Sequence, residues 1–197
     1  MITLLRCCML VLLLLPIAES AMAIEEPAYT VVTRHDGIEY RQYQSYLVAE
    51  TVVADISDRN DAASAGFRRL FKYITGDNSS SKSISMTAPV RQIPVNGGWK
   101  VGFVVPSEFT RETTPAPSSA TVAIADVPAQ LVAVLRYSGR WTDKNLQEHR
   151  DEMMQKLSAL GIKPVGEVVS AAYNAPFTPP FMRRNEVMVA VDRAPLP

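Results

Sequence analysis

Two parts of the chain spell the same order of elements, and that repeat limits the fold more than any other feature. Tyr46-Leu47-Val48-Ala49 opens a Val- and Thr-rich run before one amphipathic segment, and Gln130-Leu131-Val132-Ala133 opens a similar run before another. In the first segment, about 58–75, Ala63, Phe67, Leu70 and Ile74 lie at helical spacing, with Asp58 and Asp61 suited to its start and Gly76 to its end. The second, about 143–160, carries Leu146, Met153, Leu157 and Leu160 on one stripe and stops at Gly161. Each helix is followed by two strand-like runs. The first pair is "ISMTAPVRQIPV" and, after Asn96-Gly97-Gly98, "WKVGFVVP", where Trp99, Val101, Phe103 and Val105 share a face. The second pair is "EVVSAAYN" and "RRNEVMVAV", where Val187, Val189 and Val191 share a face.

A strand-helix-strand-strand unit can bury its sheet face only against its copy. The expected architecture is therefore α+β: a curved antiparallel sheet or distorted β-barrel of two such repeats, with two helices packed on it. The repeats span about 29–109 and 120–192, joined by a Pro/Ser/Thr-rich linker at 110–119, and "YTVVTRH" and "GIEYRQY" add strands at the front. Residues 24–197 are enough for one domain to bury a core without staples.

The first 23 residues read as a signal peptide: a basic start ending at Arg6, an apolar run at 7–17, and Ala21 and Ala23 before a cut. The expectation is an exported protein, periplasmic or secreted, with no transmembrane segment after cleavage. Cys7 and Cys8 precede the apolar run, which disfavours a lipid anchor. Both cysteines leave with the leader. A processed chain without thiols excludes covalent c-type haem, Fe-S clusters, zinc-thiolate sites and cysteine nucleophiles. The formal net charge is zero and no basic stripe is present, so nucleic acid is not an expected partner.

Within "YNAPFTPPFMRR", Pro176, Pro179 and Pro180 remove backbone donors, so this segment reads as a stiff approach to the last strand, with Phe177 and Phe181 available to cover a core edge. Glu186 can pair with a neighbouring arginine, which favours a structural polar cluster over a ligand grip by Arg183 and Arg184. His35 sits by a turn at Asp36-Gly37, whereas His149 falls on the apolar stripe of the second helix and reads first as a packed histidine. Asp55, Asp58 and Asp61 lack calcium-loop spacing. No serine elbow, P-loop or dinucleotide fingerprint occurs. Asn78-Ser79-Ser80 is formally a glycosylation sequon.

"GIEYRQY", "FKYITGDN", "ISMTAPV" and "YNAPFTPPFMRRNEVMV", in that order and at these separations, resemble the landmarks of the SOUL haem-binding protein family over about 29–191. The resemblance implies a distorted two-repeat barrel and noncovalent binding of haem, or of related metal-free porphyrins, in an apolar groove beside the first helix. Some members bind iron through a histidine in an early strand, where this chain has Gln42; His149 is an axial candidate, and Tyr and Met could also ligate iron, although the sequence singles out none of them.

Phe67, Leu70 and Phe71 with Arg68, Arg69 and Lys72 interleaved suit such a groove, since a porphyrin needs an apolar slot bordered by cations for its propionates. The same pattern also describes a core stripe with a solvated basic flank. The resemblance favours Arg69 as the propionate partner, with Phe67, Leu70, Phe71 and Lys72 around it, and Phe177 and Phe181 as a lip. The reading is a carrier, scavenger or buffer with no catalytic step. The alternatives are a module for another amphipathic ligand or a partner helix, and an enzyme acting on a tetrapyrrole side chain or a small ester.

Overall fold

The computed structural model describes residues 24–195, so the leader-like segment and its two cysteines lie outside the described residues. Strands β1 (Tyr29–His35), β2 (Ile38–Tyr43) and β3 (Tyr46–Ala54) lead into helix α1 (Arg59–Ile74), then β4 (Val90–Val95) and β5 (Gly98–Val104). After β6 (Ala123–Val127) the order repeats as β7 (Gln130–Tyr137), α2 (Asp143–Ala159), β8 (Pro164–Ala172) and β9 (Asn185–Val191). All nine strands form one antiparallel sheet in the order β1-β2-β7-β9-β8-β4-β5-β3-β6. The class is α+β as expected, but the sheet does not close: β1 and β6 are edges.

That order is close to a palindrome about the β8/β4 junction. On either side the sequence is junction strand, last strand of the half, first strand of the half, then a strand borrowed from the other half. β2 precedes β3 in sequence but pairs with β7, and β6 precedes β7 but pairs with β3. Neither half keeps its own leading strand, so each completes the other's sheet. The 110–119 segment is more than a tether: Tyr73 donates its hydroxyl to the Pro115 carbonyl (2.8 Å), and Arg111 pairs with Asp126 (2.9 Å).

Both helices cover the same sheet face. α1 starts at Asp58, whose carboxylate accepts the Asn60 and Asp61 amides, and ends before Gly76, whose φ of 121° suits a residue without a Cβ. α2 starts at Thr142, which accepts the Asn145 amide. The two helices seat separate cores: Leu70, Tyr73 and Ile74 over Ala49, Val101 and Phe103, and Met153 and Leu157 over Ile38, Ala133, Val187 and Val189. A third cluster, with Tyr43, Val132, Val134, Ala171 and Met188, lies on the opposite face.

Leu70 and Ile74 of the expected α1 stripe are buried, but nearer its start Ala62 and Gly66 face the sheet and Ala63 and Phe67 turn aside, a shift of one position there. Gly66 sets this seat, because a Cβ there would stand 2.6 Å from the Val101 side chain. Asn78, the sequon residue, is buried and donates its side-chain amide to the Tyr73 and Lys82 carbonyls, closing the loop after α1. Among the described residues no helix is long and apolar enough to cross a membrane.

A candidate ligand cleft at the seam between the repeats

β4 and β8 join the halves through three paired positions, Val90 with Ala172, Arg91 with Ala171, and Gln92 with Ser170. Each helix sits over its own half, and the residues that face upward between them are small. A cleft of about 540 Å³ therefore opens over the seam, within the range of about 300–1,000 Å³ usual for small-molecule sites. One wall is α1, through Ala63, Ser64, Phe67 and Arg68. The floor is Val90, Gln92, Ser170 and Ala172, and the far wall is Tyr137, Trp141 and the loop at Asn174 and Pro176.

The frame of this cleft is a polar network across the seam. Arg59, 3% exposed at the first turn of α1, donates to Asp143 (2.9 Å), to Gln92 Oε1 (2.9 Å) and to the Trp141 carbonyl (3.0 Å). Gln92 returns a bond to the Arg59 carbonyl (3.1 Å). Trp141 donates from Nε1 to Asn185 Oδ1 (2.7 Å), and the Arg183 guanidinium lies over the indole at 4.2 Å. One arginine thus ties the starts of both helices to the seam. The Tyr137 phenol, in the far wall, has its pKa raised by burial, against the opposing influence of Arg59 and of the Ser170 side chain, and it is neutral at physiological pH.

The predicted site residues fall into three places. Phe67 lines the cleft at 37% exposure, braced edge-on against Phe103 at 5.1 Å and stacked at 5.9 Å with Phe71, which is itself outside the lining. Arg69, Leu70 and Lys72 do not line it. Arg69 donates to the Val52 carbonyl (2.9 Å) and Thr51 Oγ1 (3.3 Å) on β3, Leu70 is wholly within the core, and Lys72 is exposed on the last turn. The basic position at the cleft belongs to Arg68, which is exposed and has no ion-pair partner among the described residues. Neighbours on a helix differ by about 100° in direction, so the one-position shift in α1 gives the cleft to Arg68 and β3 to Arg69.

Phe177 and Phe181 stand on the loop at the cleft's rim but point into solvent, 89% and 79% exposed. His149 lies behind the far wall. Its ring stacks on Tyr137 at 4.3 Å and its Nδ1 donates to the Asn145 carbonyl (2.7 Å), a packed arrangement outside the cleft lining. Gln42 is exposed on β2, also outside it. The sequence reading missed the far wall and the floor. Two signals were present: a lone Trp just before the second helix, and the small residues of "SAA" at 170–172, of which Ser170 and Ala172 share a face at period two.

On the opposite face, Glu186 is wholly buried and saturated. Arg41 grips it with two nitrogens (2.9 and 3.1 Å), Arg184 donates from Nε (2.9 Å) and Tyr173 from its hydroxyl (2.7 Å). Arg41 also holds Glu39 (2.8 Å), Arg184 holds Glu26 (2.7 Å), and their guanidinium groups stack on Tyr29 and Tyr173. Burial opposes the charge on both arginines, yet the bonds and field of Glu186 leave both pKa values raised. The expected pairing of Glu186 with a neighbouring arginine is present, and the segment "RRNE" is split between faces: Arg183 and Asn185 serve the cleft, Arg184 and Glu186 the buried cluster.

A two-repeat antiparallel sheet with both helices on one face thus leaves a cleft of small-molecule size over the repeat junction. The chain belongs to the SOUL heme-binding protein family, whose model matches residues 24–190. It is 23% identical over 161 residues to Heme-binding protein 1 of Xenopus laevis, covering 77% of this chain and 83% of that protein. Among solved structures it resembles the EcmrR C-terminal domain (TM-score 0.59, 11% identity, 84% of this chain and 99% of that one). It also resembles a hydrolase from Listeria innocua (TM-score 0.55, 9% identity, 82% and 94%). At these identities the likeness to the solved structures is one of fold alone.

Proposed function

We propose that the seam cleft binds haem or a related porphyrin noncovalently, and that the protein is an exported carrier, scavenger or buffer with no catalytic step of its own. The observation that carries this reading is the pairing of an aromatic wall residue, Phe67, backed by Phe71, with Arg68, a cation that has no ion-pair partner among the described residues, in a cleft whose lining holds no carboxylate. A flat apolar ring suits the wall, and an anionic edge suits Arg68. Membership of a haem-binding family supports the same class of ligand.

The fit to a porphyrin ring is good; the fit to its metal is poor. Neither histidine nor cysteine lines the cleft, and the Tyr137 phenol is held in its neutral form. Bound haem would bring a redox-active iron, while this chain's part is to bury the ring, exclude water with Trp141 and Pro176, and hold the propionates with Arg68. Ser64 and Ser170 line the cleft without a histidine or carboxylate to take their protons, which supports binding rather than turnover.

The test is a porphyrin titration followed by quenching of Trp141, with Trp99→Phe as background so that one indole reports. Phe67→Ala should weaken binding by about tenfold or more, while its half-open position keeps the folding cost to about 1–2 kcal/mol. Porphyrin binding indifferent to Phe67 would place the site elsewhere.

A further inference from the structure

The loop between β8 and β9 is built to stay open. Arg183 donates to the Pro176 carbonyl (2.7 Å) and the Thr178 carbonyl (2.9 Å) while stacked on Trp141. Thr178 N bonds to Ala175 O (3.0 Å), Met182 N to Pro179 O (2.9 Å), and Gly139 N to Pro180 O (2.9 Å). With three prolines as well, these bonds hold the loop's backbone in this path. Yet its apolar side chains point outward: besides Phe177 and Phe181, Met182 is 64% exposed. Soluble proteins seldom hold a cluster of large apolar groups rigidly in water unless something covers it.

The surrounding charge says what covers it. No Asp or Glu lies between Glu167 and Glu186, and the rim carries Arg140, exposed beside the Gly139–Pro180 bond, while the nearby carboxylate Asp143 is already paired with Arg59. We propose that this loop docks the mouth of the cleft onto an anionic lipid bilayer, with Phe177, Phe181 and Met182 entering the headgroup–acyl boundary and Arg140 meeting lipid phosphates. Apolar tips beside an exposed arginine match that boundary. A second copy of the chain fits less well, because a two-fold contact through this patch would set the two copies of Arg140 against each other. Docking in this pose presents the cleft to ligands dissolved in the membrane, whichever amphipathic ligand it holds.

The experiment is flotation of the purified protein with phosphatidylcholine vesicles containing about one-third phosphatidylglycerol, against pure phosphatidylcholine. Binding should require the anionic lipid and fall with salt. Phe177→Ser with Phe181→Ser should lower it by more than about tenfold, and Arg140→Glu by about fivefold or more. Near-UV circular dichroism and porphyrin affinity in lipid-free solution should stay unchanged in both variants. No flotation of the wild type at low salt, or flotation indifferent to the two phenylalanines, overturns the proposal. So does loss of porphyrin affinity in lipid-free solution on the double substitution, which would make the loop a wall of the cleft, or a concentration-dependent dimer abolished by it.

Discussion

Two arginine clusters face away from each other across the same sheet, and they use their charge in opposite ways. Around Glu186, charge is matched inside the protein: Arg41, Arg184 and Tyr173 close on one carboxylate, Glu39 takes the Arg41 Nε and Glu26 the Arg184 Nη1. Over the seam, Arg59 is equally buried and equally occupied, but about two and a half turns further along α1 Arg68 stands beside Phe67 with no ion-pair partner among the described residues. The saturated cluster fixes β2, β9 and the segment before β9 in place. The seam cluster fixes a frame and leaves one charge over. An arginine count therefore says little about ligand binding; what matters is which guanidinium the fold has not already engaged.

The strongest way to break this contrast is Glu186→Ala. Removing one partner of a buried, hydrogen-bonded pair leaves Arg41 and Arg184 uncompensated and should cost about 3–5 kcal/mol in urea unfolding. Porphyrin affinity of the folded protein should stay within about twofold. A large loss of affinity at small cost in stability would show that the buried cluster, and not the seam, answers to ligand.

Next in size is Arg59→Met, which strips donors from Gln92 and the Trp141 carbonyl and should cost about 2 kcal/mol. Because Asp143 is largely exposed, its share of that figure is screened. Unlike Glu186→Ala, this substitution should also weaken porphyrin binding, since it loosens both helix starts around the cleft. Gly66→Ala comes third. The added methyl meets Val101 and costs about 1–3 kcal/mol by overpacking, set against about 1 kcal/mol of helix propensity in its favour. Its more useful readout is direction: if α1 must rotate or lift, the Arg68 face moves and porphyrin affinity falls with it.

The smallest expected effect is one of pH. Glu39 loses some hydration by burial, but bonds from Arg34 and Arg41 outweigh this and hold its pKa below the ordinary 4.5. A depressed folded-state pKa means the contribution is complete above the unfolded value near 4.5 and lost as pH falls through the lower folded value. Glu39→Gln should therefore flatten the acid side of the stability curve slightly and leave neutral-pH porphyrin binding unchanged.

Much of the fold was legible because its signals are local. Val187, Val189 and Val191 at period two, Met153 and Leu157 at helical spacing, Asp58 as a cap and Gly161 as a stop each depend only on near neighbours. The site was less legible because its parts meet through pairings that no local pattern encodes. Arg59 reaches Asp143 from the other repeat, and Ser170 stands beside Gln92 only because β8 and β4 pair. The choice between Arg68 and Arg69 is the sharpest case: two adjacent arginines are equivalent in the sequence and are separated by how Gly66 seats the helix on Val101.

That choice and the lack of a histidine or cysteine in the cleft lining can be tested together. Haem and metal-free protoporphyrin should be titrated against the wild type, Arg68→Ala, Arg69→Ala and His149→Ala. A cleft that grips ring and propionates should bind the two ligands within about tenfold, or 1.4 kcal/mol. Arg68→Ala should weaken both by about five- to tenfold, with Arg69→Ala and His149→Ala close to wild type. A strong preference for haem that disappears in His149→Ala, with a shifted Soret band, would contradict this account and put an iron–histidine bond at the centre of the function.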